Sequence, residues 1–222
     1  MTMKKILTVL LATTLIFSLA ACSKAAPKVA PKASKTEAKV LVVNKEAKEI
    51  KMLCEVNGKY FKEATRHGIV FEKGSNGEKS VLRGLADEKE FHQALLDIGA
   101  KPGNNLKAAD MKATADKGVA VNGDKLNAVV TWEGQDKEIP FADIIKASVE
   151  KPMDLRFGGN LESAKKNNTG CVLCLDSCAT GITSDATYPT GTTQNKVVKF
   201  YGDEDVLPED GKVVTVTFRL AK

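Results

Sequence analysis

The sequence predicts an α+β fold, a mainly antiparallel β domain with two or three flanking helices. Three observations predict it. In "KEIKMLCEV" (48–56), Ile50, Met52, Cys54 and Val56 alternate with Glu49, Lys51, Leu53 and Glu55, the period of a half-buried strand. Turn signals at Asn57-Gly58, Gly74-Ser75-Asn76-Gly77, Asn122-Gly123-Asp124 and Gly134-Gln135-Asp136 separate short apolar runs. Only one long amphipathic stripe has helical period, and no sustained βαβ alternation accompanies it.

Taken in order, "VLVV" (40–43) reads as a short strand and 48–56 as a longer one. "HGIVFEKGSNGEKSVLRGL" (67–85) reads as a hairpin turning at 74–77. A helix follows. Asp87 caps it, Glu90 completes a capping box, and Phe91, Ala94, Leu95 and Ile98 form the apolar stripe. Gly99 and Pro102 end it, and His92 within it is expected to face solvent. Residues 118–141 read as strands joined at 122–124 and 134–136. "FADIIKASV" (141–149) reads as a short helix after Pro140, and "VVTVTFRL" (213–220) as a closing strand. In "RFGGN" (156–160), Gly158-Gly159 marks a bulge, or lets backbone approach a ligand.

The N-terminus sets the compartment. Lys4 and Lys5 precede sixteen apolar or small residues, too few for a comfortable membrane span, and the run meets Leu19-Ala20-Ala21-Cys22. This looks like a bacterial lipobox: residues 1–21 are a lipoprotein signal peptide and Cys22 is the lipidated first residue. No twin-arginine pair is present, so export by a Sec-type route is expected. Ser23 fits sorting to an outer membrane where the host has one. Residues 23–38, "SKAAPKVAPKASKTEA", hold two prolines and four lysines and no large apolar residue except Val29, so they read as a flexible tether. The expected location is extracytoplasmic, membrane-anchored through the N-terminal lipid, in the periplasm or on the outer cell surface.

The formal charge of +5 belongs to that leader and tether. Of 33 Lys+Arg and 28 Asp+Glu, residues 1–38 carry six lysines and one acid, leaving 27 of each in 39–222. A neutral domain without a clustered basic face argues against nucleic acid as a partner. An envelope protein is the expected kind of partner.

"NTGCVLCLDSC" (168–178) carries the chemistry. Cys171, Cys174 and Cys178 fall within eight residues as C-x2-C-x3-C. An iron–sulfur reading lacks the fourth cysteine and the proline of the bacterial ferredoxin run, and its usual export route is absent. A mononuclear ion such as zinc needs a fourth ligand, for which His67, Cys54 and Asp176 are the candidates. The plainer reading of His67 is a hydrogen-bonded structural residue. Disulfides suit an exported domain, since setting Cys22 aside leaves an even four cysteines. Cys54 lies on the Ile50/Met52/Val56 face and is equally readable as packing. A redox-active pair lacks a nearby cation, Lys165-Lys166 being weakly placed. The cysteine run is expected to be a disulfide-stapled loop, with a metal- or iron–sulfur-binding redox centre as the alternative. No cofactor is favoured, and zinc or an iron–sulfur cluster are the candidates.

The chain shows no phosphate-loop spacing, no G-x-S-x-G and no H-E-x-x-H, so no catalytic residue is assigned. A binding or accessory module is the expected function.

Four stretches, "ATRHGIVFEKGSNGEKSVL", "FGGNL", "NTGCVLCLDSC" and "LPEDGKVVTVTFRL", are together similar to the YdjY-like family of bacterial exported proteins. The resemblance spans nearly all of 39–222, a single domain. It implies an exported protein, some relatives of which have been called ferredoxin-like or oxidoreductase-related. It assigns no activity to any residue here.

Overall fold

The computed structural model describes residues 39–221. The expected leader, tether and lipidation site at Cys22 lie outside the described residues. Among the described residues, no helix is long and apolar enough to cross a membrane.

The strands are β1 Leu41–Asn44, β2 Glu49–Val56, β3 His67–Phe71, β4 Ser80–Gly84, β5 Leu126–Trp132, β6 Gln135–Pro140, β7 Ile145–Ala147, β8 Leu155–Phe157, β9 Cys171–Cys174, β10 Thr183–Asp185, β11 Phe200–Gly202 and β12 Val213–Leu220. Two α-helices join them, α1 Glu88–Asp97 and α2 Leu161–Asn167. Ten strands form one sheet in the order β6-β5-β12-β2-β4-β3-β9-β10-β8, with β1 also on β2. A separate ribbon pairs β11 with β7. The α+β class with mainly β character holds, and the pairs are antiparallel except β3–β4 and β9–β10.

The period-two strand is found as expected. Ile50, Met52, Cys54 and Val56 are all fully buried, while Lys51 is exposed. One edge of β2 pairs with β12 along its length; the other is shared by β1 and β4. The strand expected to close the chain, β12, therefore lies inside the sheet between β2 and β5. α1 lays its stripe on this centre, with Phe91 and Phe218 ring centroids 4.7 Å apart. Fully burying an aromatic ring of this kind contributes roughly 2–3 kcal/mol. Asp87 caps the helix by accepting the Lys89 amide, so the cap is made without Glu90.

Several local expectations are corrected. Residues 67–85 form no hairpin: β3 and β4 run parallel, His67 opposite Ser80 and Phe71 opposite Gly84. The glycine-rich turn is stitched to a third segment instead. Ser75 and Asn76 amides donate to Asn168 and Thr169 carbonyls, and a Cβ on Gly74 would stand 2.5 Å from the Gly170 Cα. That close backbone approach is what the glycines permit.

His92 does not face solvent. It is 7 % exposed and meets Phe157 edge-on at 5.1 Å, because the strand β8 covers that flank of α1. Residues 118–124 make no strand beyond the single bridge of Gly123 with Pro102, and β5 and β6 turn at Glu133-Gly134. "FADIIKASV" makes one 3-10 turn, Phe141–Ile144, before β-branched Ile145 enters β7 and pairs with β11. "RFGGN" is a strand end rather than a bulge: β8 stops at Phe157, and Asn160, left-handed at φ 49°, opens α2.

Candidate functional site

The first two cysteines lie on a strand rather than in a loop, and Cys178 lies in the turn that follows. Cys171–Cys174 is β9, all four residues buried, with β3 on one side and β10 on the other. In a regular strand, residues three apart face opposite sides of the sheet. The β3–β9 register breaks this rule twice. His67 pairs with Cys174, Ile69 with Leu173 and Val70 with Cys171, so Gly68 is extra on β3 and Val172 is extra on β9. These two bulges reset the alternation. Cys171 and Cys174 come to one face beside His67 and Val70, while Ile69, Val172 and Leu173 join the main core on the other. Gly68 is required at its bulge, since a Cβ there would lie 2.6 Å from Leu173 Cδ2.

The result is a compact donor set. One atom each from His67, Cys171 and Cys174 lies within 4.8 Å of the other two, and Cys171 Sγ is 3.7 Å from His67 Nδ1. Cys178 joins the same buried group with Val70, and Met111 packs against it. Polar groups ring the sulfurs. Asn76 Nδ2 donates to Cys171 Sγ at 3.8 Å, and Thr180 Oγ1 is 3.3 Å from Cys178 Sγ. The Asn160 side-chain amide donates to the carbonyls of Cys178 and Gly181, fixing the turn that carries the third cysteine. The buried hydroxyls of Thr169 and Ser184 have no hydrogen-bond partner among the described residues. Thr169 faces Cys171, and Ser184 stands beside Cys174 in the β9–β10 register.

The thiols differ in acidity by position. Cys171 is held well below the usual thiol range, chiefly by the hydrogen bond from Cys174 and then by the His67 ring. Cys178 is lowered to about 6, again by Cys174 first, with the Arg66 guanidinium next among the lowering influences. Cys174, donor to both, is pushed up. The expectation that no cation stands near these thiols is thus corrected: Arg66 comes from the segment before β3, not from the flanks of the cysteine run.

Asp176 and Cys54 fall away as ligands. Asp176 is fully buried. Its Oδ1 accepts Arg66 Nε at 3.0 Å and Nη2 at 2.6 Å, and its Oδ2 accepts the Thr193 hydroxyl at 2.6 Å. Cys54 packs in the main core opposite Gly84 and Val214, outside the cysteine group, where burial pushes its thiol up. The structure therefore brings His67, Cys171, Cys174 and Cys178 together. Sequence reasoning missed Arg66, Asn76, Ser184 and Met111, which lie at the site by tertiary contact, and Thr180, two residues after Cys178. A cavity of about 630 Å³ lined by Ile145, Met153, Tyr188 and Phe200 includes none of the donors.

The YdjY domain family matches residues 41–219. "Uncharacterized protein YdjY" of Escherichia coli (strain K12) is 44% identical over 174 residues, covering 78% of this chain and 75% of that relative. No solved structure matches the chain significantly.

Proposed function

The chain belongs to the YdjY family, and from that premise we propose that it is a lipid-anchored extracytoplasmic protein whose folded domain holds a single transition-metal ion. The observation that carries the metal reading is the mutual approach of His67, Cys171 and Cys174 within 4.8 Å. A tetrahedral ion with a metal–sulfur bond near 2.3 Å and a metal–nitrogen bond near 2.05 Å sets those two ligand atoms about 3.6 Å apart. The 3.7 Å between Cys171 Sγ and His67 Nδ1 matches that edge. An iron–sulfur cluster takes four ligands spread around two or more irons, so three donors at this spacing suit one ion better.

The surroundings support the same reading. Ligating thiolates need hydrogen-bond donors that stabilise their charge, and Asn76 is such a donor to Cys171. Thr169 and Ser184 offer two hydroxyls. Anchoring rests on the charged start, apolar run and Cys22 of the leader. The domain acts as an accessory or carrier module, and an envelope protein is its expected partner.

A disulfide from Cys174 to Cys171 or Cys178 competes for the same sulfurs, which share one buried group. The test is metal analysis of the full-length protein purified anaerobically, beside Cys174→Ser. One ion per chain, lost in the variant, supports the proposal. Absence of metal with two cysteines resistant to alkylation until reduced supports the disulfide. For anchoring, a radiolabelled palmitate tag should appear on the native chain and vanish in Cys22→Ser; an unlabelled native chain contradicts lipidation.

A further inference from the structure

We infer that the ion is soft and monovalent, of the copper(I) class, and that the thioether of Met111 selects it. This rests on the single-ion reading above. Met111 sits on the 3-10 turn Asp110–Lys112, in the long irregular stretch between α1 and β5. It packs against Val70, Cys171, Cys174 and Cys178 on one side and against Leu106, Val121 and Ala179 on the other. Its Sδ accepts the amide of Ala179, the residue after Cys178, at 3.3 Å. The side chain is therefore held against the buried group that contains the three thiols.

The donor inventory points one way. Hard cations take oxygen ligands, and the carboxylate in this neighbourhood, Asp176, is bound up by Arg66 and Thr193. Imidazole, thiolate and thioether remain, a set that selects soft ions. Zinc wants four strong donors in a tetrahedron. Three donors lie close together here, while Cys178 turns to Thr180 at 3.3 Å and faces Arg66. Three strong donors with a weak thioether alongside is an arrangement copper sites use and structural zinc sites do not. The Thr169 and Ser184 hydroxyls beside the site are buried with no hydrogen-bond partner and so remain free for a bound group.

The test measures copper(I) and zinc affinities of the reduced full-length protein, each by competition with a chromophoric chelator. Wild type, Met111→Leu and Cys171→Ser are compared, with circular dichroism as the check on folding. Leucine keeps the volume and removes the sulfur. Copper(I) affinity is expected to fall at least about tenfold in Met111→Leu while zinc affinity changes less than about twofold, and Cys171→Ser is expected to lose both. Equal losses, or no loss, overturn the selection by Met111 and leave the metal reading standing. If wild type binds neither ion, the metal reading itself fails. Should Met111→Leu not fold, X-ray absorption at the copper edge of wild type decides. Sulfur scattering beyond the thiolate shell supports the inference, and a thiolate and nitrogen shell alone overturns it.

Discussion

Gly68→Ala tests the double bulge on which the donor set depends. The added Cβ would lie 2.6 Å from Leu173 Cδ2 and 3.2 Å from both Leu175 Cδ2 and Phe141 Cζ. Carbon atoms rest at about 3.5–4.0 Å, so the closest contact is short by roughly 1 Å. These atoms are the ends of side chains each no more than 1 % exposed, so whatever strain their repacking does not relieve falls on the β3–β9 pairing. That remainder is relieved by separating β3 and β9. Overpacking of this kind costs about 1–3 kcal/mol. In a domain of this size that lowers Tm by roughly 3–10 °C. The same displacement parts His67 from the two thiols, and metal sites tolerate only about 0.2 Å. Metal affinity is therefore expected to fall at least tenfold, by roughly the measure of a lost supporting contact. Thermal melts of metal-free and metal-loaded protein, followed by circular dichroism, read both effects. A variant whose Tm stays within about 1 °C of wild type and whose affinity is unchanged refutes the bulge reasoning.

Three further outcomes are expected. In the reduced, metal-free protein, Cys178 has a folded-state pKa of about 6, below the ordinary thiol value of 9.0. The unfolded chain then holds the extra proton, so stability rises with pH between those values, by at most about 1.4 kcal/mol per pH unit, and is lost as pH falls toward 6. Urea melts at several pH values should show this rise, with a flatter curve in Cys178→Ala; identical slopes count against it. Cys54→Ala should cost roughly 1–2 kcal/mol through its core cavity and leave metal content intact. Loss of the metal there would return Cys54 to the site. Phe91→Ala should cost about 3–5 kcal/mol in denaturant melts, because it empties the contact of α1 with Phe218. A cost below about 1 kcal/mol would mean that α1 does not close the core.

Where structure is dictated locally, the sequence was readable. The alternation of Ile50, Met52, Cys54 and Val56 marks one buried face, and that same pattern keeps Cys54 away from the other cysteines. The stripe of α1 and its Asp87 cap follow from helix geometry and unpaired first-turn amides. What failed was non-local. Turn residues at 74–77 look alike whether the next strand returns antiparallel or crosses to lie parallel, and contact with Gly170 decides. His92 shares the buried flank of α1 with Glu88 and Leu95, and only the position of Phe157 makes that flank interior. The cysteine spacing named the chemistry but not the shape. In a regular β9, Cys171 and Cys174 would be on opposite faces, and no residue pattern announces paired bulges at Gly68 and Val172. Arg66 was adjacent to a residue already singled out, His67, yet its role depends on Asp176, far along the chain.

The most direct test of a single-ion centre is the native mass of the full-length protein purified without oxygen or added metal. The expected result is a chain heavier than its reduced form by one copper ion, with Cys171→Ser giving the bare reduced mass. A metal-free native chain two hydrogens lighter than the reduced form would show a disulfide in place of the ion and contradict the centre built on His67, Cys171 and Cys174.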